Sequence, residues 1–222
     1  MKILLVAATS YELTGILDYL DKKARKVSFF EYELNSNHIF PMVLGVGSFM
    51  TGYGMAKSPT KGMDMAIQIG IGGSFDKSLE LGTVVEVSTD QFADIGVSEA
   101  DGRFTSAFDL GLIDANTFPF SNEIVTANNK NLSVSAPKVH GITVNRVTGT
   151  EDEIVQIRQK YPNAVCESME GAAFLYACRM LDLPGTQLRS ISNYIEPRNR
   201  DNWKVELALE RVSGYVIEIL ER

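Results

Sequence analysis

Glu167-Ser168-Met169-Glu170-Gly171-Ala172-Ala173-Phe174-Leu175-Tyr176-Ala177-Cys178 sets acidic residues just ahead of a run that is apolar all round. A helix without a polar stripe has no side to offer water, so Gly171–Cys178 predicts a helix buried in the centre of a domain. Downstream, Gln187–Ser192 reads as a strand. Val205, Leu209, Val212, Val216 and Leu220 then recur at helical spacing within 202–220, predicting an amphipathic closing helix. Upstream, 151–160 reads as a helix with acids in its first turn, 139–147 as a strand and 122–134 as a helix, while 94–121 is polar and loop-rich. Residues 64–70 and 83–89 read as strands joined through Gly70-Ile71-Gly72-Gly73. Val27–Leu34 and His38–Leu44 read as a strand pair around Asn35-Ser36-Asn37. The chain opens with a buried strand over 2–8 and a helix over 12–22. Strand and helix in alternation predict an α/β fold with a central sheet between helices, and 1–222 is read as a single domain.

Bulk composition narrows the partners. The chain has 222 residues, 45% hydrophobic and 22% charged, with a net charge of −7. A surplus of negative charge disfavours nucleic acid and anionic membranes as the main partner, leaving a small molecule. Cys166 and Cys178 form no CxxC and read as reduced core thiols. The apolar start at Met1 is too short for a signal peptide, and no run approaches the ~18 apolar residues of a membrane span, so a cytoplasmic protein is expected. Only His38 and His140 are present, outside any ligand-spaced cluster, so neither a metal nor a cofactor is implied.

Three features can carry chemistry. Glu12 stands just beyond the first strand, at the end of an α/β sheet where ligands bind. Gly45-Val46-Gly47 and Gly70-Ile71-Gly72-Gly73 follow apolar strands and let a ligand approach backbone. Glu170 sits at the mouth of the apolar helix. Each has a plainer reading: a solvated helix residue, a tight connection, a dipole partner. Neither glycine cluster completes a dinucleotide fingerprint.

Taken in order, the features form a series: Glu12, the glycines after 64–70, Met169-Glu170, and Arg189-Ser190-Ile191-Ser192-Asn193. The series resembles the 5′-methylthioadenosine/S-adenosylhomocysteine nucleosidases and their phosphorylase relatives. With Tyr194-Ile195-Glu196-Pro197-Arg198-Asn199-Arg200-Asp201-Asn202-Trp203 following, it is similar to the futalosine hydrolase family in particular. The resemblance implies a nucleoside phosphorylase-like three-layer sandwich with a central mixed β-sheet, acting on a small-molecule nucleoside as a homo-oligomer. It also implies roles. Glu12 activates a water and Arg189 lies near it. Met169 packs on the ribose while Glu170 accepts from its hydroxyls. Backbone of Ile71, Gly72 and Gly73 lines the sugar pocket.

Departures from the relatives sharpen the expectation. Adenine-releasing nucleosidases carry Asp where this chain has Asn193, and an amide offers a donor to a 6-oxo group that a carboxylate would repel. The base expected is therefore hypoxanthine. The phosphorylases hold phosphate with an arginine where this chain has Gln68, which makes water the expected nucleophile. Arg198 or Arg200 is expected to meet the benzoate-type carboxylate of futalosine, the other reading being surface pairs with Glu196 or Asp201. Phe75, Phe92 and Tyr194 are the candidates for stacking on the purine. Pro59 is expected to end early the helix that follows Gly47.

Overall fold

The structure, a computed structural model, describes residues 1–222 except 130, 131 and 133. In chain order the elements are β1 (Lys2–Ala7), α1 (Ser10–Lys23), β2 (Arg25–Ser28), β3 (Glu31–Leu34), β4 (Asn37–Val43), α2 (Ser48–Lys57) and β5 (Met65–Ser74). There follow β6 (Val84–Phe92), β7 (Gly96–Ser98), β8 (Phe104–Ser106), β9 (Phe120–Ser121), β10 (Ile124–Thr126) and β11 (Lys138–Thr143). The last third holds α3 (Glu151–Lys160), β12 (Cys166–Ser168), α4 (Gly171–Met180), β13 (Gly185–Tyr194) and α5 (Val205–Leu220), with a 3-10 turn at Arg200–Asn202 ahead of α5.

β1 lies between β4 and β5, parallel to both. Such a strand is covered on both faces, which is why its sequence is a continuous apolar run. Ile3, Leu5 and Ala7 pack with Leu13, Ile16 and Leu20 of α1 and Val212 and Val216 of α5. Leu4 and Val6 face the other way, onto Met55 of α2 and Phe174, Leu175 and Cys178 of α4. Helices therefore cover both faces of a mixed sheet. The apolar Gly171–Cys178 run forms α4, with Tyr176 its only partly exposed side chain.

β5 is the hinge of the architecture. It pairs with β13 in parallel along most of its length and with β12 in antiparallel at its end. β12 pairs with β11, β11 with β6, and β6 with β13, so these strands close a ring of pairings. Val85, Val87, Cys166 and Ile191 fill it.

Several expectations change. Gly70-Ile71-Gly72-Gly73 is no connection between strands: β5 runs straight through it to Ser74. An added Cβ at Gly70 would stand 2.3 Å from Arg189 Nη1 and 2.7 Å from Glu12 Oε1, so the glycine makes room for side chains while the backbone stays extended. The helix expected over 122–134 is not formed by its described residues. Ile124–Thr126 pairs with β6 instead, because the sheet edge offers hydrogen bonds and an apolar slot for Val125; residues 130, 131 and 133 of that expectation lie outside the described residues. Val27–Leu34 splits into β2 and β3 around Phe29-Phe30. Gly45-Val46-Gly47 is the turn expected, with φ of 99° and 88° at its glycines, and α2 ends at Lys57, ahead of Pro59.

Candidate functional site

A cavity of about 250 Å³ opens where β1, β5 and β13 end. Its walls include Glu12, Ile71, Gly72, Gly73, Met169, Glu170, Arg189 and Asn193, which come from four separate parts of the chain. Arg198 and Arg200, expected beside the same ligand, are not among its walls. Arg198 is exposed, its guanidinium 5.1 Å from the ring centre of Trp203, which does line the cavity. Arg200 sits exposed in the 3-10 turn.

Glu12 does two jobs. Its backbone amide donates to Thr9 Oγ1 at 3.4 Å, and its Oε2 accepts from Thr9 N and Thr9 Oγ1, each at 3.0 Å, closing a capping box at the start of α1. The carboxylate is nonetheless only 8% exposed, and that burial is spent on a cavity wall. Burial raises the Glu12 carboxyl above the ordinary glutamate value; Arg189 opposes the rise and Glu170 adds to it.

Glu170 takes the N-cap place of α4 without capping it. Its Oε1 accepts from Gly47 N at 3.1 Å, and its Oε2 lies 3.3 Å from Arg189 Nη2. A dipole partner would stay by its own helix; this carboxylate crosses to another loop and another strand.

Arg189 joins these parts. At 1% exposure it donates from Nε to Gln187 Oε1 (3.1 Å), from Nη2 to Gln68 Oε1 (3.1 Å) and from Nη1 to the Ile71 carbonyl (3.4 Å). Gln68, the position at which the resemblance leads one to expect an arginine in a phosphorylase, is spent as an acceptor for Arg189 and does not line the cavity. Asn193 follows a register shift in β13; its Oδ1 accepts from Ser192 Oγ at 2.8 Å and its Nδ2 donates to the Tyr194 carbonyl at 3.1 Å.

Sequence reasoning did not assign roles to several neighbours. Glu167 and Thr148 line the cavity, and Glu167 is 4% exposed. The period-2 alternation that places Glu167 and Met169 on one side of an extended segment was available in the sequence. The aromatic side chains on the walls are Tyr11 and Trp203 rather than Phe75, Phe92 or Tyr194. Phe75 is used in the core beside α3, Phe92 packs on Phe120, and the Tyr194 hydroxyl donates to Leu79 O. Val205 and Leu209, the first apolar positions of α5, face the cavity as well. Among the described residues no group of His, Cys, Asp or Glu could hold a metal ion.

Beneath the site lies Asp90, fully buried, accepting from Thr143 Oγ1 and from Gln187 Nε2 at 3.0 Å each. Burial pushes its carboxyl up to about 6, against the pull of Gln187, Thr143 and Arg189. Unfolded Asp titrates near 3.9, so the native state binds this proton more tightly. The linked stability is fully present below that unfolded value and is lost as pH rises through about 6. The loss amounts to about 3 kcal/mol. Asp90→Asn cannot titrate. Urea melts of both proteins between pH 3 and pH 7 should therefore show their difference in unfolding free energy moving against the wild type by that amount; a pH-independent difference would contradict the shift.

The chain is similar to several known proteins. A futalosine hydrolase of Streptomyces coelicolor is 30% identical over 153 residues, which cover 69% of this chain and 63% of that protein, so the match spans less than two thirds of the relative. A 5′-methylthioadenosine/S-adenosylhomocysteine nucleosidase from Neisseria meningitidis, in complex with methylthio-immucillin-A, superposes with a TM-score of 0.79 at 17% identity, over 99% of this chain and 98% of that one. The futalosine hydrolase of Helicobacter pylori gives 0.79 at 14% identity, over 100% and 97%. At these identities the structural matches speak for the fold. No helix among the described residues is long and apolar enough to cross a membrane. The sequence pattern of the Phosphorylase superfamily matches residues 2–221, and the chain belongs to that superfamily.

Proposed function

We propose that this chain hydrolyses the N-glycosidic bond of futalosine, releasing hypoxanthine and dehypoxanthine futalosine. The observation that carries the reading is the convergence of Glu12 and Glu170 on one cavity with Arg189 beside both. Breaking an N-glycosidic bond builds positive charge on the ribose, which a carboxylate at the sugar hydroxyls stabilises. Glu170 takes that role and Met169 packs on the sugar, with Ile71, Gly72 and Gly73 as the floor. Glu12 accepts a proton from the attacking water, its base strength raised by burial. Asn193 hydrogen-bonds the departing purine, and solvent supplies its proton. Arg189 is already committed to Glu170, Gln187 and Gln68, so it offers no free cation for a phosphate dianion.

Arg198, which stacks on the cavity-lining Trp203, is the better placed of the two arginines to meet the carboxylate of the substrate's tail. In this reading 1–222 is one three-layer domain in the cytoplasm. Phe49, Met50 and Tyr53, exposed on one side of α2, would be covered in a homo-oligomer, a dimer or larger.

The test offers futalosine, methylthioadenosine and inosine side by side, with and without phosphate. Hypoxanthine should appear from futalosine at a rate independent of phosphate, with adenine release from methylthioadenosine slower by about 100-fold or more. Strict dependence on phosphate, or faster adenine release, overturns the proposal.

A further inference from the structure

Glu167 is a buried carboxylate on the cavity wall that the chemistry above does not use. Its position in the sheet is specific. Gly73 of β5 pairs with Glu167 of β12 on one side and with Asn193 of β13 on the other. Residues directly opposite one another turn their side chains to the same face. With strands about 4.8 Å apart, the two α-carbons stand roughly 10 Å apart with a glycine between them. A Cβ added at Gly73 would lie 2.4 Å from Ile195 Cδ1 and 3.1 Å from Asn193 Nδ2, so the missing side chain makes room for the apolar tip of Ile195 beside the amide. Glu167, Asn193 and Ile195 all line the cavity, so a flat ring lying against the apolar tip can meet a polar side chain at each end.

The two side chains differ in what they can discriminate. Asn193 has a donor and an acceptor, so an amide alone can serve either kind of purine. An ionised carboxylate only accepts. Thr148 reinforces this polarity: its backbone N–H donates to Glu167 Oε1 at 3.1 Å and its hydroxyl donates to Oε2. Both donors of Thr148 are therefore turned away from the ligand and onto the carboxylate, while each carboxylate oxygen keeps a further lone pair. This wall presents acceptors. A 6-oxopurine in its lactam form carries N1–H, a donor, beside its oxygen; a 6-aminopurine has a bare acceptor at N1, which a carboxylate repels.

We infer that Glu167 is the residue that selects the 6-oxopurine, accepting from its N1–H while Asn193 donates to the same base. The inference rests on the hydrolase reading above and identifies the group that sets its base preference.

The experiment measures kcat and KM for futalosine and binding of free hypoxanthine and adenine, for the wild type, Glu167→Gln and Thr148→Val. Glutamine keeps an acceptor for Thr148 and gains an amide donor that can face adenine N1. Glu167→Gln should weaken hypoxanthine binding roughly 10- to 100-fold and strengthen adenine binding, so that the preference narrows or inverts. Loss of packing alone would weaken both bases together. Thr148→Val removes one of the two donors that hold the carboxylate but leaves the acceptor in place, so it should lower the hypoxanthine preference without inverting it; it keeps the inference testable should Glu167→Gln fold poorly. An unchanged ratio in Glu167→Gln, or an inverted preference in Thr148→Val with the Glu167 carboxylate intact, overturns the inference. Failure of the wild type to release hypoxanthine from futalosine would instead sink the hydrolase reading, so the two failures are distinct.

Discussion

Glu12→Gln is expected to lower kcat for base release by about three orders of magnitude, within the range that a positioned general base contributes, while KM changes little. Glutamine is nearly isosteric, and its amide oxygen can still accept from Thr9, so the capping box and the start of α1 should survive. What disappears is the one group at this position able to take a proton from water. In the wild type the carboxyl is held above its ordinary value, by burial first, with Glu170 adding and Arg189 subtracting. On the acid side kcat/KM should fall as Glu12 becomes protonated, at a pH above that of an exposed glutamate, and the residual activity of Glu12→Gln should lack this limb. Steady-state kinetics from pH 4 to 9 on both proteins would show it. Activity within tenfold of the wild type would remove Glu12 from the water and leave it only as a helix cap.

The contrast between Glu12 and its surroundings marks what the sequence can reveal. Strands and helices whose pattern is local were readable: β1 by its apolar run, α3 over Glu151–Lys160 by its acidic first turn, α5 by its period. Glycines misled, because Gly70, Gly72 and Gly73 look like punctuation yet belong to the middle of the sheet. They are small to admit Arg189, Cys166 and Ile195 from beyond β5, which local sequence does not record. The same holds for the site. Glu12, Met169, Glu170, Arg189 and Asn193 stand out along the chain, whereas Glu167 shows in the sequence only its alternation with Met169, and its place opposite Asn193 emerges when β12 and β13 are seen on either side of Gly73. Asp90 on β6 likewise joins Arg189 through Gln187, two residues before it on β13. Trp203 was visible as part of a long polar stretch, and only the fold brings it to the cavity.

Arg189→Met should be the most costly substitution for stability, about 3–5 kcal/mol, because it removes the only cation from a pair whose other member stays buried. Methionine fills much of the volume, so the loss is electrostatic rather than a cavity. Glu170 would keep Gly47 N as a donor but lose its countercharge, and Gln68 and Gln187 would each lose the donor that Arg189 supplies. Glu12, whose carboxyl already feels Glu170, would face it without Arg189 to offset the repulsion. The unfolding midpoint in urea should fall with an unchanged slope, and Tm should drop by on the order of 10 °C. Adding Glu170→Gln to Arg189→Met should restore part of the loss, since a neutral amide can still accept from Gly47 and no longer needs a cation. That recovery, measured as the coupling in a double-mutant cycle, separates a charge effect from a packing effect. If the double variant is no more stable than Arg189→Met alone, the ion pair is not what holds the site together. If the recovery appears, the stabilisation of two buried acids at one cavity is traced to Arg189, and that arrangement is what the proposed hydrolysis requires.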